Sequence, residues 1–385
     1  MASAVLLLVT IAFGAGFAAR DASIVDAQNS SNLPILAEVQ NLLREHYVRD
    51  LPDEKEMEYA AIRGYLGALD DRFTFFIDPP VAQSESDALA GRFGGIGVDV
   101  KRNEQGLIEL IPYPDSPAER AGVKTGDILL DINDGQLQAG ERLDVIRQML
   151  RGEIIEGEEN GVTILVISPD ETDPREYFVL FEEIRVPSVI WRILPEDSQI
   201  GYIQIKSFTS LTPQEVEEAA TSLNAEGITA LVLDLRDNFG GLLEESIWIA
   251  DMFLDEGLIL IEEDREGERS REAAEGGPIT EIPVYILTNA QTASAAEVVV
   301  GALQDNGRAT VVGQRTTGKG SVQFIFGLSD GSSVHITAAI WFTPDKTPID
   351  GIGIEPDIPM IPDENGRDVE LGEAIRRIQA MRVTE

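Results

Sequence analysis

A serine, a lysine and a glutamine are the residues of this chain best placed to do chemistry. Ser294 stands in Thr292-Ala293-Ser294-Ala295-Ala296-Glu297, at the mouth of a predicted helix. Lys319 and Gln323 follow in Gly318-Lys319-Gly320-Ser321-Val322-Gln323. With no cysteine and only two histidines, the chain offers no thiol nucleophile, thiolate metal site or disulfide. Covalent chemistry then calls for a hydroxyl activated by an amine. A hydroxyl at a helix start lies among free N–H donors, in a field that favours developing negative charge. An amine acting as base must lose its proton near neutral pH, which requires burial, because a dry site disfavours the ammonium. The acidic surface works against this, but exposed charges beyond roughly 8 Å are largely screened.

Each piece also has an ordinary reading. Ser294 and Glu297 have the spacing of a helix capping box. A lysine between glycines is usually a solvated turn residue. Gly313 to Lys319 fits the G-x-x-x-x-G-K phosphate loop, but Gly320 stands where Ser or Thr would hold magnesium. A third segment, Asp234-Leu235-Arg236-Asp237-Asn238-Phe239-Gly240-Gly241-Leu242, reads as a buried strand, a glycine turn and a helix start. Amides at such a turn can face an oxyanion, although many turns of this kind only connect. His46 falls in line with an apolar helical stripe and is expected to be structural; His335 falls in a predicted strand, and neither belongs to a catalytic motif.

The elements that must position these residues are legible from periodicity. The 385 residues allow two or three domains, and the apolar fraction of 43% is that of a globular chain. The net charge of −38 speaks against nucleic acid and against anionic lipid. Ala2 to Ala19 is uncharged and just long enough to cross a bilayer. Residues 1–27 are therefore expected to be a signal peptide or a membrane anchor, and the protein extracytoplasmic. Residues 21–32 read as a polar linker and 28–92 as an N-terminal helical region, with stripes of Ile35, Leu36, Val39, Leu42 and Leu43, then Met57, Ala61, Ile62, Tyr65 and Leu66. Residues 81–92 are predicted as a further helix. From Phe93 to Phe181 come short β segments with glycine turns and a helix near 141–151. From Val186 strands and helices alternate, the signature of a layered α/β core. Residues 262–277 read as a charged surface loop, and 363–385 as a closing helical segment.

Taken together, the Ser294 box, Gly318 to Gln323, Asp234 to Gly241 and Gly351-Ile352-Gly353-Ile354-Glu355-Pro356-Asp357 resemble the carboxyl-terminal processing, or tail-specific, peptidases of serine-peptidase family S41. The likeness runs from about residue 35 to 381. It implies a multidomain α/β fold with a PDZ domain over 93–181 and a crotonase-like protease core over 182–362. It implies Ser294 as nucleophile, Lys319 as general base and Gln323 as the residue orienting the lysine. The oxyanion hole falls to the amides of Gly240 or Gly241 and Ala295. Gly95, Ile96, Gly97 and Val98 resemble the loop and strand that take a peptide's terminal carboxylate, with Val145, Ile146 and Met149 on the opposite wall. The implied partners are polypeptides with free C-termini; no metal or cofactor is implied.

Two departures stand out. Many relatives carry an arginine where Phe181 falls here, with Arg185 nearby, which puts PDZ-gated activation in question. Ala296 replaces a frequent second serine, to which no chemistry is assigned. Two rival functions use the same scaffold. A catalytically silent PDZ tether is opposed by the intact Ser294, Lys319 and Gln323. An acyl-CoA enzyme is opposed by the PDZ-like insert and the lack of a basic patch for CoA phosphates.

Overall fold

The computed structural model describes residues 33–384, apart from 138–139, 153, 155–158, 170, 274–276 and 364–365. The apolar run at residues 2–19 therefore lies outside the described residues. No helix among the described residues is long and apolar enough to cross a membrane.

The chain divides into two compact units, Met1–Ile62 and Arg63–Glu385. In the first, Pro34 opens the helix Pro34–His46, its missing N–H costing nothing in a first turn. Arg44 pairs with Glu54 at 2.6 Å, where the next helix, Glu54–Gly67, begins. The predicted stripe of Ile35, Leu36, Val39 and Leu42 is solvent-facing, and the helix has no buried residue. His46 is exposed as well, so its expected place on a packed face is corrected.

In the second unit, the helix Pro79–Ala90 is closed by Gly91 in the left-handed region at φ 68°. An antiparallel sheet follows, its strands 98–102, 108–112, 128–132, 161–167 and 175–180 adjacent in that order. Helices Pro117–Ala121 and Leu143–Met149 accompany it, and Ile96, Val100, Leu110, Ile146 and Ile164 form a core with no exposure. Phe181 belongs to this core: a Cβ on Gly152 would meet its ring at 2.2 Å. Arg185 is surface-lying and pairs with Glu183 at 3.0 Å.

The remainder is built on a six-stranded sheet in the order 189–194, 197–205, 230–234, 284–288, 309–313 and 358–359. All its pairs are parallel except the first. Side chains alternate across it, as strand geometry requires. Ile203, Leu233, Ile286 and Val311 pack with Leu223, Phe253 and Val299 on one face. Tyr202, Val232, Leu287 and Val312 pack with Leu371, Ala374 and Ile378 of the C-terminal helix on the other. Helices thus cover both faces of a parallel sheet.

A second, antiparallel sheet joins strands 75–77, 321–327, 333–342, 258–264 and 267–272. It contains the main correction to the sequence reading. Residues 258–264 and 267–272 form a hairpin where a loop was expected at 262–277. Its charges are paired across the surface, as with Arg271 to Glu244 at 2.7 Å and to Glu262 at 3.3 Å. Paired charges let a polar strand form without an apolar face.

Candidate active site

The site is assembled where strands of the parallel sheet end. Strand 230–234 is buried at every position and delivers Asp234, which accepts from the Tyr202 hydroxyl at 2.8 Å and pairs with Arg236 at 2.6 Å. The turn beyond it is fixed by Asn238, which has no exposure. Its side-chain amide donates to the Ile205 carbonyl at 2.8 Å, its Oδ1 accepts from the Gly240 N–H at 2.8 Å, and its carbonyl accepts from Ala293 at 2.9 Å. Gly240 and Gly241 sit at φ 104° and 145°. A Cβ on Gly240 would lie 2.8 Å from the Ser294 Cβ, and one on Gly241 would lie 2.1 Å from the Phe208 carbonyl oxygen. Close backbone approach is why glycine is needed at both.

Strand 284–288 leads to Ser294, held at φ 56° and ψ −123° as the N-cap of the buried helix Ala295–Asp305. A non-glycine residue there is strained, and such strain points a side chain out of the turn. Glu297 does more than cap this helix. It has no exposure, and its carboxylate accepts four hydrogen bonds: from the N–H groups of Ser294 (2.8 Å), Gly318 (2.7 Å) and Lys319 (2.9 Å), and from the Thr316 hydroxyl. One buried carboxylate thus ties the serine turn to the lysine loop. The sequence held this signal at Ser-x-x-Glu, but the capping reading covered only the bond to Ser294.

The lysine lies between glycines because its loop is pressed against residues 349–353. A Cβ on Gly318 would meet the Gly353 nitrogen at 2.7 Å, and one on Gly320 would meet the Asp350 nitrogen at 2.3 Å. This also accounts for the Gly351 to Asp357 motif: Gly351 donates to the Gly318 carbonyl at 2.8 Å and Thr316 to that of Ile354 at 3.1 Å. The Gly318 amide is taken by Glu297, and a strand follows rather than a helix, so the phosphate-loop geometry is absent here. The Lys319 ammonium nitrogen lies 5.5 Å from the centre of the Phe73 ring. Burial holds its pKa below the ordinary lysine value, against the opposing charges of Glu85 and Glu297.

Ser294, Lys319, Gln323, Gly241 and Ala295 all line one cavity of about 560 Å³. Among the described residues, the amides of Gly241 and Ala295 donate to no acceptor, whereas that of Gly240 is engaged by Asn238. Gln323 directs its amide to Ser321, at 2.9 Å from Oγ and 3.3 Å from the carbonyl, rather than to the lysine. The rest of the wall is mainly apolar, with Leu242, Phe324, Phe326 and Trp341, and adds two residues given no role from sequence, Glu85 and His335. His335 is buried and faces this cavity. A hydroxyl, a half-buried amine and two unpartnered amides around an apolar cleft are suited to acyl transfer.

In the other lobe, strand 98–102 is a sheet edge beside the helix Leu143–Met149. Gly97 takes φ 73°, and its carbonyl accepts from Tyr113 at 2.9 Å. Ile96 donates to the Leu150 carbonyl at 3.3 Å, and both Ile96 and Val98 are buried, as is Gly95. Val145 is half-buried and Met149 is exposed, while Ile146 points into the core rather than the groove. Arg147 spans the cleft, donating to Val100 O at 2.9 Å and to the Asp99 carboxylate at 3.1 Å.

Comparison with known proteins agrees with this architecture. The profile of peptidase family S41 matches residues 199–360, and a PDZ-domain profile matches residues 112–158. A carboxy-terminal-processing protease of Bartonella bacilliformis is 36% identical over 86% of this chain and 76% of its own. A chloroplastic C-terminal processing peptidase of Tetradesmus obliquus is 33% identical over 85% of this chain and 73% of its own. Among solved structures, a photosystem II D1 C-terminal processing protease is similar at 31% identity and a TM-score of 0.49, over 84% of this chain and 88% of its own. The fold is that of a multidomain α/β serine peptidase with a PDZ domain. The chain belongs to the S41 family of carboxyl-terminal processing peptidases.

Proposed function

We propose that the chain is an endopeptidase that cleaves polypeptides at or near their C-termini with a Ser294–Lys319 dyad. The observation that carries this reading is the gathering of Ser294, a partly dehydrated Lys319 and the open amides of Gly241 and Ala295 on one apolar cavity. Ser294 Oγ attacks the scissile carbonyl while its proton passes to Lys319 Nζ. The carbonyl oxygen, now negative, sits against the Gly241 and Ala295 amides. Lys319 returns the proton to the leaving amine as the C–N bond breaks, and water then hydrolyses the acyl-enzyme. Gln323 shapes the lysine side of the pocket through Ser321.

The PDZ lobe, over residues 93–181, receives the substrate's C-terminus as an added strand along residues 98–102. Arg147 must leave Val100 for that strand to form. The apolar N-terminal run and the chloroplastic placement of a relative support work outside the cytoplasm. The test is a fluorophosphonate label, with cleavage of an unfolded substrate bearing apolar or charged tails. Labelling at Ser294, preference for the apolar tail and loss of turnover in Lys319→Ala are expected. An unlabelled Ser294 would leave the silent tether as the better reading.

A further inference from the structure

Three titratable side chains line the cavity: Lys319, Glu85 and His335. The last two form a pair, with His335 Nε2 at 2.8 Å from the Glu85 carboxylate. They come from distant elements, the helix Pro79–Ala90 and the strand Ser333–Phe342. The histidine is fixed from a second side, because Phe75 stacks on its ring at 4.5 Å. Phe73, two residues earlier, lies beneath the Lys319 ammonium. The chain from Phe73 to Glu85 thus carries the aromatic floor of the lysine, the aromatic support of the histidine and, within the helix that follows, the carboxylate. The histidine side chain is nearly buried and the carboxylate about one-third exposed.

We propose that Glu85, held by His335, is the counter-charge that stabilises the ammonium formed on Lys319 when it takes the Ser294 proton. The inference rests on the dyad reading above. When the Oγ–H bond breaks and an N–H bond forms on Lys319, a cation appears in an apolar cleft. Such a cation is costly without an opposite charge nearby. Three groups face it: Glu85 from the helix, Glu297 from the serine helix and His335 from the strand. The Glu297 carboxylate is bound up by four fixed donors and acts chiefly on the backbone. Glu85 opens onto the cavity itself, and His335 Nε2 holds its carboxylate at 2.8 Å. Glu85 is therefore a positioning residue that acts through Lys319. A purely structural ion pair between helix and strand would leave the ionisation of Lys319 where it is.

The test is the pH dependence of kcat/KM on an unfolded substrate for wild type, Lys319→Met, Glu85→Gln and His335→Gln, each checked for folding by circular dichroism. In Glu85→Gln the plateau is expected to fall roughly ten-fold, and the acid limb to move to lower pH because the ammonium has lost its partner. In His335→Gln the ring that holds the carboxylate and stacks on Phe75 is gone, so Glu85 is less well placed and the acid limb is expected to move the same way, by less. A folded Glu85→Gln enzyme whose acid limb coincides with wild type overturns the proposal. If that variant does not fold, His335→Gln decides: a downward shift supports the proposal and an unmoved or upward-shifted limb overturns it. The dyad is judged apart, by Ser294 labelling and by Lys319→Met. If those behave as expected while the Glu85 and His335 variants leave the limb unmoved, only the present inference fails.

Discussion

Replacing Glu297 with glutamine asks whether one carboxylate holds the two halves of the site together. Its two oxygens accept from Ser294, Lys319, Gly318 and Thr316, and the group has no exposure. Glutamine keeps the size but turns one acceptor into an NH₂ donor. In either flip that donor faces a backbone N–H, of Gly318 in one and of Ser294 and Lys319 in the other. Only the Thr316 hydroxyl can rotate to accept. An orphaned buried donor costs about 1–3 kcal/mol, and bonds to a charged acceptor are the stronger kind. The expected loss of stability is therefore about 2–4 kcal/mol. Because both Ser294 and Lys319 move with the lost bonds, turnover should fall by about 10²-fold or more. Urea unfolding of the full chain and cleavage of an unfolded substrate measure the two effects. A Glu297→Gln protein with wild-type turnover and an unchanged unfolding midpoint would refute the reasoning.

Other expectations follow from the same geometry. Lys319→Met should abolish turnover yet raise stability at neutral pH. Burial lowers the lysine's pKa in the folded state, so the unfolded chain binds that proton more readily; stability rises with pH until the unfolded value is passed, and methionine removes the cost. A lower urea midpoint for that variant would contradict this. Gly240→Ala places a Cβ at 2.8 Å from the Ser294 Cβ with φ at 104°. It should lower kcat by about 10²-fold or more, while a near-wild-type kcat would show that the turn can give way. Arg147→Ala frees the Val100 carbonyl. Its pair with Asp99 is partly exposed, so apolar C-terminal peptides should bind only up to about five-fold tighter by calorimetry. Weaker binding would place the peptide elsewhere.

The sequence was most legible where one strong period or motif governs an element. Strand 284–288 and the helix after Ser294 carry continuous apolar runs and a glycine-free start, and they appear where the pattern puts them. The hairpin at 258–272 was hidden because its outer strand, Gly267–Glu272, is polar and stabilised by cross-strand charges. The apolar stripe of Pro34–His46 was visible, but periodicity does not say what a stripe faces, and here it meets solvent. At the site, types and spacing pointed to Ser294, Lys319 and the Gly240-Gly241 turn without choosing between its two glycines. They could not reveal that Gly240's amide is consumed by Asn238 two residues earlier. Nor could they join Glu85 to His335, which meet only through the tertiary fold. The role of Glu297 was half visible, since local spacing gives the bond to Ser294 and only the fold brings Thr316, Gly318 and Lys319 to the same carboxylate.

The most direct test of the account is the rate at which a fluorophosphonate acylates Ser294, followed by mass spectrometry across pH in wild type and in Lys319→Met. The wild-type rate is expected to rise through one ionisation that lies below the range of a solvated lysine. The methionine variant should react slowly, with no such rise. Equal rates and the same pH profile in the two proteins would contradict it, because the serine would then be activated without the lysine.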